Sequence, residues 1–145
     1  MNTDKHGCGQ LETETEFLNV DLILASRKEL KPFLEAIGKK AHVLGQWRLR
    51  GMYWANLEVN FNAKTAASAI LGFVKLVDKL SPQARKSWSS AAVRDFDVGV
   101  QSGANRGATL VLGTPLLKEI ARVGGRLVFT IYHADRRRAG RLPEI

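Results

Sequence analysis

The sequence has few of the residues that support disulfide, metal or membrane chemistry. Cys8 is the only cysteine, so no disulfide can form within the chain and a cysteine-rich metal site is excluded. The three histidines His6, His42 and His133 are too scattered for a zinc motif. No apolar run approaches the roughly 20 residues of a membrane helix, and residues 1–16 lack a signal-peptide pattern. We expect no metal, no membrane association and a cytoplasmic location.

Motifs for nucleotides and for catalysis are also missing. Neither G-x-x-x-x-G-K-[ST] nor G-x-G-x-x-G occurs, and Gly99, Gly103 and Gly107 are simply four residues apart. Such spacing is typical of a bulged strand end followed by a turn. No histidine, cysteine or serine stands in a catalytic pattern. We therefore assign no catalytic residue and no cofactor.

The composition indicates one domain that folds alone. The 145 residues are 45% hydrophobic and 25% charged, as in average globular proteins. The net charge is +8, to which residues 1–16 contribute −3, residues 17–132 contribute +9 and residues 133–145 contribute +2. We predict a flexible polar tail over 1–16, a single α+β domain over 17–132 and a basic tail over 133–145.

Apolar periodicity predicts the elements. Alternation indicates strands at residues 18–25, 41–47, 52–61, 94–102 and 126–132. Helical spacing indicates helices at 27–37 and 64–80, a short helix from Ser81-Pro82 through 88–92, and one capped by Thr114 with Pro115 first. Ser26 and Glu29 form a capping-box pattern, although Pro32 favours a regular start nearer Lys31.

This element order predicts a two-layer α+β sandwich, with one mixed β-sheet and helices on one face, ferredoxin-like with additions. Aligning Gly38 with Gly124 superimposes the apolar positions of the helices before them, and each helix follows a strand that carries an aspartate. These matches indicate a βαβ pseudo-repeat. The second face of the sheet is predicted to be open.

The open face should collect the polar side chains of the strands. The predicted set is Asn19, Asp21, Trp54, Asn56, Glu58, Asn60, Asp97, Gln101, Arg126, Thr130 and Tyr132. Since aromatic rings amid polar groups are typical of interface anchors, we predict a recognition surface of Asp21, Trp54, Glu58, Asp97, Arg126 and Tyr132. Two alternatives concern the three carboxylates. In the first they are solvated or paired with Arg94 and Arg126. In the second they do acid/base work or hold a cation. Trp88, in contrast, is expected in the core.

Basic residues define a second candidate surface. Lys39, Lys40, Arg48 and Arg50 flank the second predicted strand, and Arg136–Arg138 and Arg141 follow the last one. Such a patch could bind nucleic acid weakly and without sequence preference, through counterion release. Against a sheet-based RNA reader stand the three acidic side chains on the open face.

The stretch 88–103, with Trp88, Arg94, Phe96, Asp97, Gly99 and Gly103, is followed by residues 116–124 and the closing LVFTIY. Together with the opening NVDLILAS and the strand YWANLEV, it resembles a family of small bacterial α+β domains of uncharacterised function. Some of these domains resemble immunity proteins that neutralise a partner toxin. The resemblance covers most of residues 17–132 and implies no catalytic residue.

Three functional hypotheses follow. The leading one is a non-enzymatic protein-binding domain whose partner is another protein or a second copy of the chain. The resemblance implies that this domain is an immunity-type protein. The second is a nucleic-acid-associated basic protein. The third is a small enzyme that uses the carboxylates of the open sheet face.

Overall fold

The computed structural model describes residues 15–104 and 107–133. Within them, the strands are β1 (Glu16–Ser26), β2 (Ala41–Leu49), β3 (Met52–Val59), β4 (Val93–Ser102) and β5 (Arg126–His133). The α-helices are α1 (Lys31–Ile37), α2 (Ala66–Asp78), α3 (Pro82–Ser90) and α4 (Thr114–Arg122). The predicted tails lie outside the described residues, apart from Thr15, Glu16 and His133 at their inner ends. Arg136–Arg138 and Arg141 also lie outside them.

The strands form one mixed sheet in the order β2-β3-β1-β4-β5. The pairs β2–β3, β3–β1 and β1–β4 are antiparallel, and β5 joins β4 in parallel. The first four strands have the ferredoxin-like arrangement, and α4 with β5 is the addition. This confirms the predicted α+β class with a mixed, open sheet.

The core lies between the helices and one face of the sheet, which we call the closed face. Leu22 and Leu24 on β1 and Phe96 on β4 are fully buried there. Phe73 of α2 packs on Phe96 with ring centroids 6.2 Å apart. Trp88 of α3 is buried as expected, and its Nε1 donates to the Val123 carbonyl at 2.9 Å.

Helix α1 begins later than the capping pattern predicted. Ser26 is the last residue of β1, and its Oγ accepts a hydrogen bond from the backbone N–H of Lys28 at 3.2 Å. The regular helix starts at Lys31 with Pro32 in its first turn, where proline is tolerated. The capping box was therefore wrong, and the alternative start near Lys31 is confirmed.

In the two βαβ units of the predicted pseudo-repeat, the helices end alike but the strands pair differently. Gly38 and Gly124 both follow their helices with positive φ, at 56° and 76°. In the second half, β4 and β5 are direct neighbours. In the first half, β3 lies between β1 and β2. The two units therefore share the way their helices end but not the pairing of their strands.

None of the helices in the described ranges combines the length and the apolar character that crossing a membrane requires.

Candidate functional site: the open face of the sheet

Three carboxylates lie in one row across the open face. Asp21 on β1 is directly opposite Glu58 on β3 and directly opposite Asp97 on β4. Cα atoms paired in this way are about 4.5–5.5 Å apart. The structure therefore brings the three predicted carboxylates together, and we call Asp21, Glu58 and Asp97 the acidic row.

Neutral donors surround the acidic row. The Asn19 side-chain amide donates to Asp21 Oδ1 at 3.0 Å and to Glu58 Oε1 at 3.2 Å. Asn56 Nδ2 donates to the other oxygen of Asp21 at 3.3 Å. On the far side, Thr130 Oγ1 lies 2.7 Å from one Asp97 oxygen and 3.0 Å from the other. These donors hold the carboxylates in place without cancelling their charge.

Asp21 is the centre of the row, and its ionisation is disfavoured. Partial burial raises the pKa of this carboxyl, and the negative charges of Glu58 and Asp97 raise it further. The hydrogen bond from Asn56 acts in the opposite direction but does not cancel the rise. An ionised Asp21 thus carries an electrostatic cost that a positive charge placed over the row would reduce.

The two arginines considered as partners of the row are engaged elsewhere. Arg126 pairs with Asp95, its neighbour across β4 and β5, with Nε 2.6 Å from Oδ1. Arg94 lies on the closed face, where it donates to the carbonyls of Gly124 at 2.8 Å and Ala91 at 2.6 Å. No ion pair to Asp21, Glu58 or Asp97 exists within residues 15–104 and 107–133. Of the first alternative, in which the carboxylates are solvated or paired with Arg94 and Arg126, the pairing is therefore wrong.

Trp54 lies on the open face, as predicted, and it has a partner that the sequence reasoning missed. Trp47 on β2 is opposite Trp54 on β3, and the two rings stack nearly parallel with centroids 6.0 Å apart. The turn of Arg50 and Gly51 sets this register, because both residues have positive φ and form a two-residue hairpin. Reading residues 50–51 as that turn would have placed Trp47 opposite Trp54.

Tyr132 shares the face with Trp54 but not the neighbourhood. Tyr132 pairs with Gln101 at the opposite end of the sheet. From strand spacing and residue rise, the Cα atoms of Trp54 and Tyr132 lie about 30 Å apart, at diagonal corners. Gly99 lies between Asn19 and Tyr132, and a Cβ there would come within 2.5 Å of Asn19 Oδ1. The six predicted residues are thus spread across the whole open face, with the acidic row in the middle.

The four predicted basic residues form two pairs. Lys39 and Lys40 precede β2, whereas Arg48 and Arg50 lie at its other end. Arg48 lies eight residue steps after Lys40 along an extended strand, which corresponds to about 26 Å. The Arg48 guanidinium is stacked over the Tyr53 ring at 4.4 Å from its centroid. The structure therefore does not bring these groups into one patch.

A cleft of about 660 Å³ lies between α1 and the β2–β3 hairpin. Leu30, Leu34, Val43 and Tyr53 give it an apolar wall, and no member of the acidic row lines it. A smaller cleft of about 180 Å³ reaches Glu58. The acidic row itself is half-buried on the sheet surface and is not enclosed in a deep pocket.

Among the described residues, no group of three or more His, Cys, Asp or Glu side chains is arranged to hold a metal ion. No protein-family model, curated protein sequence or solved structure matches this chain.

Proposed function

We propose that this chain is a non-enzymatic protein-binding domain whose open face binds a partner protein that presents lysine or arginine side chains. The observation that carries the proposal is the acidic row. Three carboxylates lie side by side on adjacent strands, and no cation of the described residues pairs with them. Charge complementarity therefore selects a basic partner surface.

The cost of the row supports this proposal. Like charges placed directly opposite each other in a sheet destabilise it. Partial burial and two acidic neighbours raise the pKa of Asp21, so ionisation of that carboxyl lowers the free energy of unfolding. Fixed charges that lower stability are typical of binding sites, where a partner of opposite sign compensates them.

Aromatic side chains extend the surface beyond the row. Trp47 is 43% exposed and stacks on Trp54 at one corner of the face, and Tyr132 is exposed at the opposite corner. Large rigid rings contribute most of the binding energy in many interfaces, while polar neighbours set selectivity. A partner that spans the face would contact both corners and the acidic row between them.

The other two hypotheses receive less support. A nucleic acid would be repelled by the acidic row, and the basic pairs Lys39–Lys40 and Arg48–Arg50 lie at opposite ends of β2. An enzyme that used the carboxylates of the row as acid or base would also need a cleft that holds a substrate beside them. The row instead lies on an open sheet surface, where its neighbours are the amides of Asn19 and Asn56 and the hydroxyl of Thr130. Toxin immunity stays a prediction about the partner's biological role.

The test uses a defined cationic probe. An arginine-rich peptide is titrated into the ¹⁵N-labelled chain, and amide shifts are followed by NMR. We expect shifts centred on Asp21, Glu58 and Asp97, weakening as salt rises. A glutamate-rich peptide of equal length is the matched probe control. The variant Asp21→Asn/Asp97→Asn should lose most of the response, whereas Asp78→Asn on α2 should keep it.

Two results would count against the proposal. Shifts that map to the helices, or that persist unchanged in Asp21→Asn/Asp97→Asn, would move the site away from the open face. The second concerns a labelled oligonucleotide titrated at two salt concentrations. Tight binding that survives the higher salt would favour the nucleic-acid hypothesis, because binding by scattered basic groups falls steeply with salt.

A further inference from the structure

Strand β5 forms an edge of the sheet that carries exposed apolar side chains. One side of β5 pairs with β4 in an unbroken register from Asp95–Arg126 to Ser102–His133. No strand of the described residues pairs with its other side. On the side of the sheet that carries the helices, Phe129 is 45% and Ile131 is 61% exposed. Backbone groups along such an edge are ready to pair with another strand.

The opposite edge of the sheet is built differently. Strand β2 contains a bulge between Val43 and Gly45, and two lysines, Lys39 and Lys40, directly precede it. Bulges and lysines are devices by which natural sheets prevent edge pairing. Strand β5 has neither device. Its one formally charged residue, Arg126, is already paired with Asp95.

We propose that β5 pairs in antiparallel fashion with β5 of a second copy of the chain, about a twofold axis at Thr130. Residues paired across two strands share a face, and a twofold axis at Thr130 satisfies this condition for every pair. Phe129 then lies opposite Ile131 of the second copy, and Val128 lies opposite Tyr132. The exposed apolar side chains of the edge thus cover each other.

The partner strand is inferred to be a second copy of β5 because this segment can pair with itself. In this register residues 127–133 of the two copies overlap, and this segment, LVFTIYH, contains no formally charged residue and no proline. Arg126 falls outside the overlap, so the pairing brings no like charges together. A strand of a different protein could use the same backbone groups, but an identical strand is present in every copy and brings no charge to the paired segment.

The dimer would have one continuous sheet, with both open faces on the same side. From strand spacing and rise, the two copies of Asp97 would lie about 20 Å apart. Because a single pair of strands buries less than the roughly 1,200–2,000 Å² of a standard interface, we expect a weak, concentration-dependent dimer. This proposal does not depend on the proposed function, since β5 pairing involves no member of the acidic row.

Sedimentation of the full chain up to about 500 µM tests the association, a range that covers weak interfaces. We expect a dimer that dissociates on dilution. Ile131→Lys should raise the dissociation constant at least about tenfold, because an edge lysine blocks strand pairing. Val43→Lys is the matched control, since Val43 is 39% exposed on the helix side of β2. It should leave the dimer intact, and circular dichroism checks that both variants fold.

Crosslinking tests the register. In a Cys8→Ser background, Thr130→Cys should form an intermolecular disulfide under mild oxidation, since paired antiparallel Cα atoms about 4.5–5.5 Å apart lie within disulfide range. Leu44→Cys on β2 should not. A chain that is monomeric throughout the range, or a dimer unaffected by Ile131→Lys, would overturn the proposal. Crosslinking at Leu44 in place of Thr130 would assign the interface to β2 and also overturn it.

Discussion

The two faces of the sheet differ completely although neighbouring residues of one strand supply both. Leu22 points to the closed face and is fully buried. Asp21, one position earlier, points to the open face and lies between two other carboxylates. Burial of apolar groups stabilises the closed face. On the open face, the arrangement of like charges lowers the stability of the fold.

This difference separates the face that stabilises the fold from the face that we propose for recognition. A sheet covered on one side needs the other side only to be polar enough for water. Short neutral side chains would meet that need without bringing three carboxylates together. The fold therefore does not require the acidic row, which is the basis for proposing the open face as a binding surface, and the predictions below test that proposal.

The largest effect is expected on the closed face, at Trp88. Its ring stacks on Phe33 with centroids 5.5 Å apart, and its Nε1 donates to the Val123 carbonyl. Trp88→Ala leaves a cavity and an unpaired carbonyl, so we expect a loss of about 3–5 kcal/mol in the free energy of unfolding. Urea denaturation followed by circular dichroism measures it. A loss below about 1 kcal/mol would mean that the closed face is not a tightly packed core.

The closed face was predictable from the sequence, because alternation and helical spacing identify apolar stripes without knowledge of partners. Leu22, Phe96 and Trp88 follow such stripes, and all are buried. The open face was predictable only as a set of residues. That Asp21, Glu58 and Asp97 share one row depends on pairing register, which periodicity does not contain.

The arginines show the same limit. Arg126 forms an ion pair with Asp95 because β5 runs parallel to β4 and places those two residues side by side. Arg94 turns to carbonyls at the ends of α3 and α4, which have no intrahelical partners. Both choices follow from how distant segments meet, so residue type alone could not predict them.

A smaller effect is expected on the open face, at Trp54. Its ring stacks on Trp47, but its Nε1 has no hydrogen-bond partner in the described residues. We expect Trp54→Ala to lower the free energy of unfolding by about 1–2 kcal/mol, from the lost ring pair and partial burial. The same variant should weaken binding of the cationic peptide.

Trp88→Ala is the reference for that measurement. If Trp54→Ala destabilises the chain as much as Trp88→Ala and leaves peptide binding unchanged, then Trp54 belongs to the core. The assignment of Trp54 to the recognition surface would then have to be abandoned.

The smallest effect, and the one most specific to the acidic row, is the pH dependence of stability at Asp21. Its pKa is raised above the ordinary value of 3.8, chiefly by burial and then by Glu58 and Asp97. The folded state therefore holds this proton more tightly than the unfolded state. As pH rises above 3.8, the carboxylate form makes the wild type progressively less stable relative to Asp21→Asn, until the folded pKa is passed.

Asp78 provides a control of opposite sign on the helical layer. The bidentate hydrogen bond from Arg122 lowers the pKa of Asp78, so its contribution is stabilising above the ordinary value of 3.8 and is lost as pH falls below it.

Melting temperatures of wild type, Asp21→Asn and Asp78→Asn between acidic and neutral pH separate the two cases. Relative to wild type, Asp21→Asn should gain as pH rises, by no more than about 2 °C because solvent screens a half-exposed carboxyl. The melting temperature of Asp78→Asn should instead fall further below that of wild type as pH rises towards 3.8, because the wild type gains the stabilisation by Asp78 over that part of the range. If both variants changed in the same direction, the row would not bear the electrostatic cost that points to a basic partner.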